Sequence, residues 1–166
     1  MRWIIAFLAL AGMIAAALAL REHYRTEGAA PCSINERWDC GTVNKSKFAT
    51  IGGIFAHQGP QDVPSPDEKK SLQAQIGQIP VADIGIAGYL LLAGLAIGKR
   101  WRLLVVAAFP ALAFSLYLAH IEKDILEVWC IYCVISLGII SLITLLSLVA
   151  LGMNWRKTTV SDSRAT

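Results

Sequence analysis

VWCIYCVISLGIISLITLLSLVALGMNW, residues Val128–Trp155, contains no charged side chain and opens on a Cys130-x-x-Cys133 pair. An α-helix needs about 20 apolar residues to cross a bilayer, so this stretch reads as a membrane span. Three more such stretches lie upstream. Leu103–Ala119 is uncharged and holds Pro110, Val81–Gly98 carries only Asp83, and Trp3–Leu20 has no charge at all. Pro110 would cost a soluble helix about 3 kcal/mol. In a membrane bundle, neighbouring helices can re-satisfy the carbonyl it frees. The expectation is an all-α, integral membrane four-helix bundle with helices at about 3–20, 81–98, 102–120 and 125–153. These fall in one domain, 1–157, with an outer loop at 21–80 and a disordered cytoplasmic tail at 158–166. A cleaved signal peptide is the alternative reading of residues 1–20, although the uncharged run is long for a signal core of about 7–15 residues.

Composition agrees. The chain of 166 residues is 55% hydrophobic and 16% charged, where soluble domains carry about 25% charge. That excludes a disordered chain and an ordinary water-soluble globule. A net charge of +3 is too weak to suggest a nucleic-acid binder.

Basic residues set the orientation, because Lys and Arg accumulate on cytoplasmic segments. With the N-terminus inside, the inner segments hold Arg2, Lys99, Arg100, Arg102, Arg156, Lys157 and Arg164 against one acid, Asp162. The outer segments hold eight basic and eleven acidic residues. Trp3, Trp101 and Trp155 sit beside the inner basic residues, where an aromatic belt belongs. Both termini are thus expected in the cytoplasm. Cys32, Cys40, Cys130 and Cys133 then all face the opposite compartment, the oxidising one.

In the outer loop, Val43, Phe48 and Ile51 are spaced for one face of a short helix over Thr42–Ile51, with Gly52-Gly53 as its stop. Phe55–Pro66 reads as linker. Ser65-Pro66-Asp67-Glu68 is a capping box, and Leu72, Ile76 and Ile79 follow at helical spacing. This predicts an amphipathic helix on the membrane surface, either a lid or a plain solvated helix.

Cys130 and Cys133 are three residues apart near a helix N-terminus, where the partial positive charge favours the thiolate. Two dithiols in one compartment can pass electrons by thiolate attack on a disulfide. Three other readings compete: two static disulfides, a four-cysteine zinc site, and inert buried thiols. Structural zinc sites use close-spaced ligand pairs, whereas Cys32 and Cys40 are eight apart, so no metal is expected. Electrons reaching Cys133 need an acceptor. No GxGxxG or P-loop is present, whereas a lipid-soluble quinone among the helices of a bundle needs no such fingerprint.

The chain resembles the vitamin K epoxide reductase family in its bacterial form. The resemblance runs through Cys32-Ser33-Ile34-Asn35 and Cys40, then Val43-Asn44-Lys45-Ser46-Lys47-Phe48 with Gly53. It continues in Ile79-Pro80-Val81-Ala82-Asp83-Ile84-Gly85 with Tyr89, and in Cys130 and Cys133. A second quinone-linked thiol oxidase family of similar size carries its CxxC in the first outer loop, the reverse order. The resemblance implies a four-helix bundle around a quinone of the ubiquinone, menaquinone or vitamin K type. It implies that Cys133 lies next to the quinone ring and that Cys130 is its partner. Cys40 would be the shuttle that bonds transiently to Cys130, and Cys32 the thiol that meets an outside protein. Asn44 and Ser46 would help cap the pocket. The implied location is the bacterial inner membrane with the site on the extracytoplasmic side.

The chain departs from the family in three places. It inserts roughly Phe55–Gln78 before the Ile-Pro helix start. Animal members place a quinone-contacting tyrosine four residues after the second CxxC cysteine, and here that residue is Leu137. Many bacterial members carry a fused thioredoxin-like domain, whereas only Asn154–Thr166 follows the last helix here, so a separate periplasmic thioredoxin-like partner is expected. Phe48, Asp83 and Leu137 are further candidates for the quinone pocket; an intramembrane carboxylate is a functional candidate by default, while Asp83 near the headgroups equally suits a solvated helix cap. Trp38 and Phe48 are candidates for packing over the pocket or for ordinary core packing. His57 and His120 are candidate acid–base groups or ordinary interface residues. Taken together, the expected activity is oxidation of the partner through Cys32/Cys40 and reduction of quinone through Cys130/Cys133, supporting disulfide formation. The alternative is a non-catalytic accessory protein with two structural disulfides.

Overall fold

The computed structural model describes residues 1–25, 32–35, 37–55 and 77–162. Four long helices carry the fold: α1 (Arg2–Tyr24), α4 (Val81–Ile97), α5 (Trp101–Ile121) and α6 (Ile131–Asp162). Two short ones, α2 (Cys40–Lys45) and α3 (Ile51–Phe55), lie between α1 and α4. α1 packs on α4 and α6, and α5 packs on α6 and α4, which closes a ring of four. The expected all-α membrane bundle is therefore the fold. Arg2–Tyr24, Trp101–Leu126 and Ile131–Trp155 are long and apolar enough to cross a bilayer. α4 has 17 residues, at the lower limit of a span.

Small residues set the closest approach. Ala9, Gly12, Ala15, Ala16 and Ala19 make the buried face of α1, so neighbouring backbones come near, as membrane helices require when lipid supplies no hydrophobic drive. A Cβ at Gly12 would lie 2.3 Å from the Tyr89 ring; the missing methyl is the slot for that ring. Phe7, Leu10 and Ile14 turn outward, toward lipid. Ile5, Leu92, Leu104, Ala108 and Ile143 form the apolar core. The buried hydroxyls of Thr144 and Ser147 donate to carbonyls of their own helix, so neither is left unpaired.

Element ends differ from the sequence reading in instructive ways. α6 starts at Ile131, where 125 was expected. Residues Glu122–Leu126 instead continue α5 as a π-helical turn, closed by Glu127 in the left-handed region at φ 54°. The backbone of α6 runs to Asp162, into the stretch 158–166 read as a tail. The short helix expected over Thr42–Ile51 is broken into three pieces. α2 ends at Lys45 with Ser46 as its cap, a 3₁₀ turn covers Lys47–Ala49, and α3 follows. Gly52 and Gly53 sit inside α3 rather than stopping a helix, because a Cβ at Gly53 would lie 1.6 Å from the Lys47 carbonyl oxygen. The Ile51 N–H donates to the Ile79 carbonyl at 3.1 Å, tying the loop to the start of α4. The linker and amphipathic helix expected between Phe55 and Ile76 lie outside the described residues, as does His57.

Candidate active site

Local backbone chemistry brings the cysteines together. Asn35 makes a side-chain turn, its Oδ1 accepting from the Arg37 and Trp38 N–H groups at 3.0 Å each, a geometry Asn adopts readily. The returning segment then pairs with the residue before Cys130. The Trp129 N–H donates to the Arg37 carbonyl at 2.9 Å, and the Asp39 N–H donates to the Trp129 carbonyl at 3.1 Å. The rings of Trp38 and Trp129 stand 6.4 Å apart over this junction. Pairing at 39 and 129 sets the next residues, Cys40 and Cys130, side by side. Both are fully buried, in one cluster with Cys32 and Val43.

Asp39 caps α2. Its carboxylate accepts from the Gly41 N–H at 2.9 Å, from the Thr42 hydroxyl at 2.6 Å and from the Ser33 hydroxyl. The hydrogen bond from Ser33, then that from Thr42, holds its carboxyl below the usual carboxylate range.

Cys32 and Cys40 are joined in a disulfide with Cα atoms 5.8 Å apart, within the ordinary span. Cys130 and Cys133 are free thiols. The Asn44 amide bridges the two pairs, donating to the Cys40 carbonyl at 2.9 Å and to Cys130 Sγ at 3.4 Å. The Cys130 thiol is held below the ordinary thiol range, first by its hydrogen bond with the Cys133 thiol; burial pulls the other way, and the Asn44 amide adds a smaller downward push. A lowered value favours the nucleophilic thiolate.

Beneath the cysteines lies a cavity of about 350 Å³, a size typical of small-molecule sites. Its walls are small and flat: Ala15, Ala16 and Ala19 from α1, Gly85 and Gly88 from α4. Pro110 and Phe114 close the α5 side. Cys133, Asn44, Ser46 and Phe48 all line it. Asp83 and Leu137 are not among its lining residues. Asp83 is flanked by Ala82 and Ile84, which do face the cavity, and is half-buried in the first turn of α4. Leu137 packs against the apolar core, because Cys133, Ser136 and Ile140 occupy the cavity-facing stripe of α6 at helical spacing. His120 is exposed and pairs with Asp124, away from the cavity.

Among the lining residues not singled out from sequence, three make polar contacts at the site. Glu122, 3% exposed, accepts the Cys130 N–H on Oε2 at 3.1 Å and shares the cavity wall with Cys133. His23, from the last turn of α1, donates from Nδ1 to the Asn44 carbonyl. Ser136 shares a 2.7 Å hydrogen bond with the Tyr89 hydroxyl. Each sits at the end of an apolar run or within one, where a lone polar residue looks like ordinary boundary sequence.

This is the layout of a multi-pass membrane redox protein. The sequence profile of the vitamin K epoxide reductase family matches residues 3–148, and the chain belongs to that family. No curated protein matches the chain.

Proposed function

We propose that this protein is a membrane thiol:quinone oxidoreductase that oxidises a separate periplasmic thioredoxin-like protein and so supports disulfide formation in exported proteins. One observation carries the reading: the Cys32–Cys40 disulfide is seated on Cys130, and Cys133 opens into the cavity. A partner thiolate attacks Cys32 and releases Cys40. Cys40 attacks a Cys130–Cys133 disulfide at Cys130, and Cys133 is released facing the cavity. Each exchange conserves bonds, with one S–S broken for each one formed. The free thiols at Cys130 and Cys133 weigh against two static bridges.

The cavity suits a quinone. Its flat apolar walls match a planar ring, and polar groups that include Asn44, Ser46, His23 and Glu122 are the minority of its lining. When bound, a quinone of the ubiquinone, menaquinone or vitamin K type supplies a two-electron acceptor. Asn44, Ser46 and Phe48 would hold its head group, while Ala15, Ala16 and Gly85 exclude water. We place the protein in the bacterial inner membrane, within the domain 1–157, with the cysteine end outside and both termini cytoplasmic. The positions of the basic residues support that orientation.

The decisive experiment is quinone-reduction kinetics with purified protein, a thioredoxin-like donor and several quinones. Turnover with at least one quinone is expected, and a mixed disulfide with the donor should accumulate in Cys130→Ser. Absence of both would overturn the proposal.

A further inference from the structure

Glu122 sits where a charge is expensive. It is almost fully buried, and among the described residues no Lys, Arg or His forms an ion pair with it. A buried carboxylate without a counter-charge carries a large desolvation cost. The Cys130 N–H at the start of α6 offsets part of it, but a glutamine would accept the same hydrogen bond without the cost. The π turn and the left-handed Glu127 end α5 so that this side chain points back between the CxxC pair and the cavity. It lines the cavity together with Cys133. Reduction of a quinone consumes two protons as well as two electrons, and a dry site needs a group to move them.

Building on the function proposed above, we propose that Glu122 is the proton carrier of this site, taking the thiol proton of Cys133 and delivering it to the acceptor oxygen in the cavity. As the carboxylate takes the proton, the Cys133 sulfur becomes nucleophilic. The second proton is that of the Cys130 thiol, which leaves by the same carboxylate as the two sulfurs join. Two S–H bonds break, one S–S bond forms, two O–H bonds form on the quinone, and the dithiol loses two electrons to it. Glu122 ends in its starting form. The other titratable groups around it are Cys130, Cys133 and Tyr132 beside or on α6, Tyr89 on α4 and His23 on α1.

The test compares the native protein with Glu122→Gln, which keeps the helix cap and loses the proton site, and with Glu122→Asp. In single turnovers from the pre-reduced protein to a short-chain quinone, Glu122→Gln should be slower by about a hundredfold or more. Its rate should climb steeply with pH because the thiol must ionise unaided. Glu122→Asp should recover part of the loss. A second readout needs no quinone: the infrared difference spectrum between dithiol and disulfide forms should carry a carboxyl band that Glu122→Gln lacks. A Gln variant with native rate and pH profile, or a native spectrum without that band, would overturn the assignment. If instead the native protein passes electrons to no quinone, it is the proposed function that falls.

Discussion

The two ends of the bundle are both packed, but with different material. At one end Ile5, Leu92, Ala96, Leu104 and Ile143 meet through methyl groups alone. At the other, the buried cluster is Cys32, Cys40, Val43 and Cys130. Dispersion contacts between hydrocarbons hold helices in place and have nothing to exchange. Sulfur atoms fill similar volume, yet they can trade covalent partners without leaving the cluster. The polar framework around them is fixed by backbone pairing at Trp129 and by the Asn44 amide. The bundle therefore keeps a static end for assembly and a reactive end for chemistry.

Substitutions should separate the two ends. The largest effect belongs to Cys133→Ala, which should bring quinone reduction down to the uncatalysed rate in a spectrophotometric assay; full turnover in that variant would assign the site wrongly. Next, Cys32→Ala should abolish turnover with a protein donor but leave turnover with a small dithiol, which can bypass the loop. At the static end, Gly12→Ala forces a methyl into the Tyr89 ring. It should destabilise the bundle by about 1–3 kcal/mol, seen as a lower unfolding midpoint in detergent. Asn44→Ala removes the bridge between the sulfur pairs, worth about 1 kcal/mol, so exchange between Cys40 and Cys130 should slow several-fold, with a drop in midpoint no larger than that of Gly12→Ala.

The smallest effect is a pH dependence confined to the loop. The Asp39 carboxyl is held below its usual range, so its contribution is present at neutral pH and is lost only as pH falls through that lowered value. Reduction of the Cys32–Cys40 bridge by a mild phosphine should therefore quicken at strongly acidic pH in the native protein. Asp39→Asn should show the faster rate already at neutral pH.

The four long helices were legible because each is a long apolar run, and the cysteines were legible because the loop pair and the CxxC pair fall at the same end of those runs. What was not legible depends on direction rather than composition. Asp83 is a lone acid in an apolar stretch and attracts attention, yet its flanking residues, not it, face the cavity. Glu122 is one of three acids in a short polar connection, Glu122, Asp124 and Glu127, and nothing in the order of residues separates it from the other two. Only the π turn brings it inward. The same holds for the broken short helix: Gly52-Gly53 carries the signal of a helix end, but here the glycines answer to the Lys47 carbonyl, a neighbour in space.

The tilted pair of indoles, Trp38 on the loop and Trp129 beside the CxxC motif, has a practical consequence. Of the five tryptophans, Trp3 and Trp101 open α1 and α5, and Trp155 lies late in α6, a bilayer's width from the sulfurs. Disulfides quench indole emission at short range. The intrinsic fluorescence of Trp38 and Trp129 should thus brighten and dim as the chain cycles between its bonded and open forms, giving an unlabelled optical record of each turnover.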